Sequence, residues 1–135
     1  MSDTVTGFLD GLAWDGNGLI PAIAQQHDSG EVLMLAWMNR EALAETIATG
    51  QVCYWSRSRR RLWRKGETSG QIQRLVELRL DCDGDALLLR VDQTGVACHT
   101  GRRRCFFNRI EAGRVIAIDP VIVDPARLYP AKPAD

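Results

Sequence analysis

Leu75-Val-Glu-Leu-Arg-Leu-Asp-Cys-Asp-Gly-Asp-Ala-Leu-Leu-Leu-Arg-Val91 reads as a β-hairpin in one stretch. Val76, Leu78, Leu80 and Cys82 fall on one face of an extended chain, and Glu77, Arg79 and Asp81 on the other. Asp-Gly signals a tight turn, and residues 86–91 return as the apolar partner strand. Working outward, residues 19–25 and 31–37 predict a second hairpin around the turn His27-Asp28-Ser29-Gly30. Asn39 suits a helix N-cap, Leu43, Ala44, Ile47 and Ala48 share one helical face, and Gly50 suits the stop. Residues 51–56 read as a strand and 57–70 as a polar, basic loop with two glycines. Cys98 ends or follows a further strand, and residues 105–110 and 115–118 supply the last two. Residues 1–18 read as a short helix or strand. Pro120, Pro125, Pro130 and Pro133 make the tail, residues 120–135, irregular. The sum is an α+β fold, a predominantly antiparallel sheet with one or two helices. It forms a single domain over residues 1–135, with no repeat or linker.

Lys plus Arg and Asp plus Glu each number 17, so formal net charge is zero and there is no global pull toward nucleic acid or membrane. The distribution is uneven. Arg57, Arg59, Arg60, Arg61, Arg64, Lys65 and Arg74 face Glu67 alone within residues 57–74, which suits local anion recognition or a solvated charged face. No apolar run approaches the ~20 residues that span a bilayer. The N-terminus lacks the pattern of a signal peptide. A cytoplasmic protein with reduced thiols is expected. Cys53, Cys82, Cys98 and Cys105 then read as metal ligands or buried core residues.

Cys82, Cys98 and Cys105 are spaced C-x15-C-x6-C, without the close pair of a zinc finger. Three thiolates would leave a fourth zinc position open, as catalytic sites do. The competing reading is that Cys82 simply continues its strand's apolar face. Asp81, Asp83 and Asp85 alternate, so an extended chain puts three carboxylates on one face and favours Mg²⁺ or a similar hard ion. An EF-hand fails here, because its sixth and twelfth loop positions hold Ala86 and Asp92. A solvated Asp-Gly turn is the plainer alternative. His99 adjoins Cys98 and suits a general base near neutral pH, with a reference pKa of about 6.5. Two basic loops suit phosphate. One carries Arg102, Arg103 and Arg104; the other is Lys65-Gly66-Glu67-Thr68-Ser69-Gly70, whose glycines and hydroxyls admit an anion.

Five stretches carry a resemblance: Glu31-Val-Leu-Met-Leu-Ala-Trp-Met-Asn39, Tyr54-Trp-Ser-Arg-Ser-Arg59, Leu62-Trp-Arg-Lys-Gly-Glu-Thr-Ser-Gly70, Asp81-Cys-Asp-Gly-Asp85 and Ala97-Cys-His-Thr-Gly-Arg-Arg103. In this order they resemble the phosphoribosyl-AMP cyclohydrolases of histidine biosynthesis, over roughly residues 19–109. The resemblance implies zinc at Cys82, Cys98 and Cys105, one ion per subunit, and magnesium at Asp81, Asp83 and Asp85. It implies His99 as a catalytic residue. It makes Arg57, Arg59, Lys65, Thr68, Ser69, Gly70, Arg102 and Arg103 the candidates for substrate and phosphate contact. It further implies an intertwined homodimer with the zinc site shared between chains. The implied reaction opens the adenine ring of 1-(5-phosphoribosyl)-AMP at N1–C6, with zinc-activated water as nucleophile. The chain departs from the family pattern at Gln26, Val96, Arg104 and Phe107, none of them a presumed ligand. Its length leaves no room for the fused pyrophosphohydrolase domain of some relatives. Two other readings compete. A zinc-stabilised nucleic-acid module would use the basic run and show no turnover. A deaminase would want H-x-E and P-C-x-x-C, which are absent.

Overall fold

A computed structural model of the protein describes residues 7–129. Expectations for residues 1–6 and for the tail beyond Tyr129, including Pro130 and Pro133, lie outside the described residues. The first hairpin forms as expected. β1 (Leu19–Gln26) pairs antiparallel with β2 (Val32–Asn39), and the Gly30 amide closes the turn on Gln26 O at 2.9 Å. A bulge opposite Ala24 and Gln25 inserts Leu33, so Leu33 and Met34 are both buried.

β2 runs directly into helix α1 (Arg40–Thr49). Asn39 Oδ1 accepts the Ala42 N–H at 2.8 Å, and Gly50 ends the helix by donating to Thr46 O. The buried face centres on Ala42, Leu43 and Thr46, with Ala44 and Ile47 half-buried; Ala48, expected on it, is exposed. Thr46 is tolerated inside because its hydroxyl donates to Ala42 O and accepts from Cys53 N, both at 2.9 Å.

β3 (Cys53–Ser56) is shorter than expected, and Gln51 makes only a lone bridge to Arg74. The expected loop over 57–70 contains a strand. β4 (Arg61–Arg64) pairs with β3, setting Tyr54 opposite Trp63 and Trp55 opposite Leu62. Two apolar residues among arginines are too short a signal to read from sequence. At a sheet edge, such charges also discourage further pairing.

β5 (Gln73–Leu80) and β6 (Leu87–Gln93) form the hairpin predicted from 75–91. The alternation on β5 is broken. Leu75 faces Val91 and Glu77 faces Arg90, so Val76 is a bulge residue, 45% exposed. Leu75 and Leu78 pack on the core, and β6 buries Leu87, Leu89 and Val91. Cys82 lies beyond the strand and is exposed.

β6 runs parallel to β1, which yields one sheet in the order β4-β3-β2-β1-β6-β5, otherwise antiparallel. That parallel pairing starts at Ala22, one residue past Pro21, which has no N–H for a ladder. α1 lies against β2 and β3. The core gathers Ile20, Ala22, Ala24, Met38, Leu43 and Leu89. A polar chain crosses it. Tyr54 OH donates to Gln73 Oε1 at 2.7 Å, and Gln73 Nε2 to Gln93 Oε1 at 2.9 Å. No strand reaches Cys98. β7 (Asn108–Glu111) and β8 (Arg114–Ala117) make a separate two-stranded sheet; β7 starts three residues later than expected and β8 one residue earlier. The tail is not wholly irregular: a short helix, α2 (Pro125–Leu128), buries Leu128. A 3-10 turn at Gly7–Gly11 sets Leu9 into the core. The fold is α+β and predominantly antiparallel. No described helix is long and apolar enough to cross a membrane.

Candidate active site

The polar chain through the core ends at the loop that carries two thiols. Gln93 Nε2 donates to Thr94 O at 2.8 Å and to Gln71 O at 3.1 Å, while Gln71 Oε1 accepts the Val96 N–H at 3.0 Å. A side chain at Gly95, φ +63°, would overlap Gln71 Oε1, so this close approach requires glycine. The loop then doubles back. Ala97 N donates to Arg103 O at 2.9 Å, Cys98 N to Arg102 O at 3.2 Å, and Cys105 N to Leu33 O at 2.7 Å. Cys98 and Cys105 come together as a result, close enough for their thiols to interact.

Burial first, and then neighbouring Cys98, push the Cys105 thiol up to about 12. Thr100 Oγ1 donates to Cys98 Sγ at 3.1 Å. Lys65 is buried beside them. Burial lowers its pKa, and Cys105 and Cys98 oppose that shift. Two soft donors side by side fit a soft dication. Cys82 does not join them within this chain. Cys53 is a core residue whose thiol is pushed up to about 12 by burial, then by Glu45. All four cysteines are free.

Asp81, Asp83 and Asp85 gather in the six-residue loop between β5 and β6. The chain there is turned rather than extended. Asp81 Oδ1 accepts the N–H groups of Asp85 at 2.9 Å and Ala86 at 3.1 Å, which curls the loop around its carboxylate. The three carboxylates offer oxygens within 4.8 Å of one another. Hydrogen bonds with Asp81 and then Asp83 push Asp85 up to about 6. Against some desolvation, hydrogen bonds with Asp85 and Ala86 hold Asp81 below the usual range. Exposed oxygens that would otherwise share a proton fit a hard cation.

A cleft of about 690 Å³ opens beside the thiol loop. Of the sequence candidates, Arg59, Lys65, Thr68, Ser69 and His99 line it. Others do not. Arg57 stacks on Trp37, 4.7 Å from the ring centroid, in a neighbouring groove. Gly70 closes a turn on Gly66 O at 2.8 Å. Arg102 lies over Phe107, 4.0 Å from the centroid, and donates to Asp119 O at 2.9 Å. Arg103 donates to Glu31 and Gln93 O, each at 3.3 Å, and to Gly95 O. Arg61, Trp63, Ser56, Ser58, Pro125 and Tyr129 also line the cleft. Arg61 and Trp63 belong to the basic run, Ser56 and Ser58 lie in a stretch that carried the resemblance without a role of their own, and nothing in the sequence pointed to Pro125 or Tyr129.

Paired thiols and an imidazole stand beside a cationic cleft, and a carboxylate cluster lies in the β5–β6 loop, outside the cleft lining; this α+β chain carries the groups of a hydrolytic enzyme. A family model for phosphoribosyl-AMP cyclohydrolase matches residues 34–107. The chain is 71% identical over 121 residues to the phosphoribosyl-AMP cyclohydrolase of Alkalilimnicola ehrlichii, covering 90% of this chain and 85% of that one. It is 69% identical over 121 residues to that of Halorhodospira halophila, with 90% and 85% covered. It is 64% identical over 122 residues to that of Granulibacter bethesdensis, with 90% and 95% covered. The chain belongs to the phosphoribosyl-AMP cyclohydrolase family.

Proposed function

We propose that the enzyme hydrolyses the N1–C6 bond of the adenine ring of 1-(5-phosphoribosyl)-AMP, a step of histidine biosynthesis, in the cleft beside Cys98. The observation that carries the siting is His99, which faces a cleft lined by Arg59, Arg61 and Lys65, one residue after a buried thiol. The arginines and Lys65 hold the phosphates, with Thr68 and Ser69 as added donors. His99 accepts the proton of the attacking water as oxygen bonds to C6. N1 leaves C6 with the bonding electron pair and takes up a proton, and C6 becomes the carboxamide carbon. Cys98 and Cys105 would hold zinc, which when bound lowers the pKa of water. Asp81, Asp83 and Asp85 would hold Mg²⁺.

The third zinc thiolate would come from Cys82 of a second copy. Two features support that reading. Cys82 is exposed and apart from the other two thiols. Exposed apolar residues also gather toward the C-terminal half, with Phe106 at 55%, Ile110 at 79% and Val115 at 69%. The test is an ultraviolet assay of the purified protein with phosphoribosyl-AMP, with and without a zinc chelator. Ring opening that the chelator abolishes is the expected result. No turnover in zinc-replete protein would sink the reading, and full turnover after chelation would remove zinc from it.

A further inference from the structure

Residues 119–129 lie beyond the stretch that the family model matches, yet they return to the cleft. Asp119 is the first anchor. Its carboxylate accepts two bonds from Arg104, from Nε at 2.7 Å and Nη2 at 3.1 Å, and its carbonyl accepts Arg102 Nε at 2.9 Å. Gly101 is the second anchor. Its carbonyl accepts the N–H groups of Ile122 at 2.8 Å and Val123 at 3.1 Å. It sits at φ +85°, and a side chain there would overlap Val123 O, so glycine permits the crossing. Asp124 then caps α2 by accepting the Ala126 N–H at 3.0 Å, and Leu128 is buried. The Tyr129 N–H returns to Pro125 O at 3.3 Å, and both residues line the cleft beside His99.

These anchors fix the segment to the loop that carries Cys98, His99 and Cys105. Arg59, Arg61 and Lys65 present cationic charge to the cleft, Glu67 a carboxylate, Thr68 and Ser69 hydroxyls and Trp63 an indole; the segment adds Pro125 and Tyr129, two uncharged rings. A nucleotide joins phosphate to a flat base, and uncharged rings suit the base. We infer that residues 119–129 form the base-side wall of the substrate cleft, with the Tyr129 ring packed on the purine of the bound nucleotide. The inference rests on the cleft being the substrate site, as proposed above.

Tyr129→Ala and Tyr129→Phe test it, compared with wild type in three measurements. These are turnover of phosphoribosyl-AMP, calorimetric binding of AMP, and zinc content with melting temperature. Tyr129→Ala should raise KM and weaken AMP binding about tenfold, because a lost stack costs that order, with kcat nearly unchanged. Zinc content and melting temperature should stay at wild-type values. Tyr129→Phe, which keeps the ring, should bind AMP within about twofold of wild type. Unchanged KM and AMP binding in Tyr129→Ala would overturn the inference. So would a Tyr129→Phe as weak as Tyr129→Ala, or a loss that tracks falling melting temperature and zinc. A wild type that binds AMP without turning over phosphoribosyl-AMP would overturn the proposed reaction instead, and the AMP comparison would still decide the wall.

Discussion

His99 lies on the cleft wall, one residue after a buried thiol. His99→Ala should slow turnover by about 10²–10⁴-fold if it is the general base. Zinc should stay bound; a variant that loses zinc would make His99 a ligand or support instead. The carboxylates separate from the thiols in the same way. Asp83→Asn should raise the Mg²⁺ concentration needed for activity and leave zinc content alone, because hard and soft ions take different donors. An unchanged Mg²⁺ requirement across Asp81, Asp83 and Asp85 variants would leave only a solvated turn. Residue type singled these groups out, since few roles suit a Cys-His pair or three alternating carboxylates. Position was not legible for the arginines. Arg103 turns inward to Glu31 and Gly95, and Arg102 to Asp119, through folding that brings distant residues together. Their spacing alone suggested phosphate.

At the scale of elements, periodicity and capping carried most of the fold. Asn39 and Gly50 bound α1 because local hydrogen bonds decide a helix end. The bulge at Val76 was hidden, because one inserted residue leaves the sequence alternation intact while turning Leu75 inward. β4 was hidden because its pairing with β3, not its composition, makes it a strand. The 119–129 segment was hidden because its anchors are an ion pair and a glycine contact. That ion pair yields a prediction with a sign. The Arg104 guanidinium holds the Asp119 carboxyl below its ordinary value of 3.8. A lowered carboxylate contributes stability above its unfolded pKa and loses it as pH falls through the folded value. Exchange protection of the Ile122 and Val123 amides should therefore hold at neutral pH and drop below about pH 4, since the unfolded carboxylate titrates there. In Arg104→Ala, protection should be lower at neutral pH and should lack that acid step. Equal profiles in both proteins would mean that the Gly101 contacts alone fasten the segment.

At the scale of the whole molecule, one chain holds two adjacent thiols and a third that lies elsewhere. Cys98 and Cys105 share a loop, whereas Cys82 is exposed at the tip of the β5–β6 hairpin. A two-fold pair of chains could complete two sites reciprocally, each lending Cys82 to the other. Subunit exchange between two inactive variants, Cys82→Ala and Cys98→Ala, tests this. In a mixed dimer the Cys98→Ala chain lends its Cys82 to the Cys82→Ala chain, which retains Cys98 and Cys105. One site is then whole and the other carries both lesions. Random exchange makes about half the dimers mixed and half of their sites whole, so activity should return to about a quarter of wild type. A site built within one chain gives no recovery, because every chain in the mixture carries a lesion. Exchange confirmed by mass labelling with activity still at zero would end the shared-site reading. A hydrolase with a complete site in each chain would survive that result, and the position of Cys82 would then need a rearrangement of the 81–86 loop to explain it.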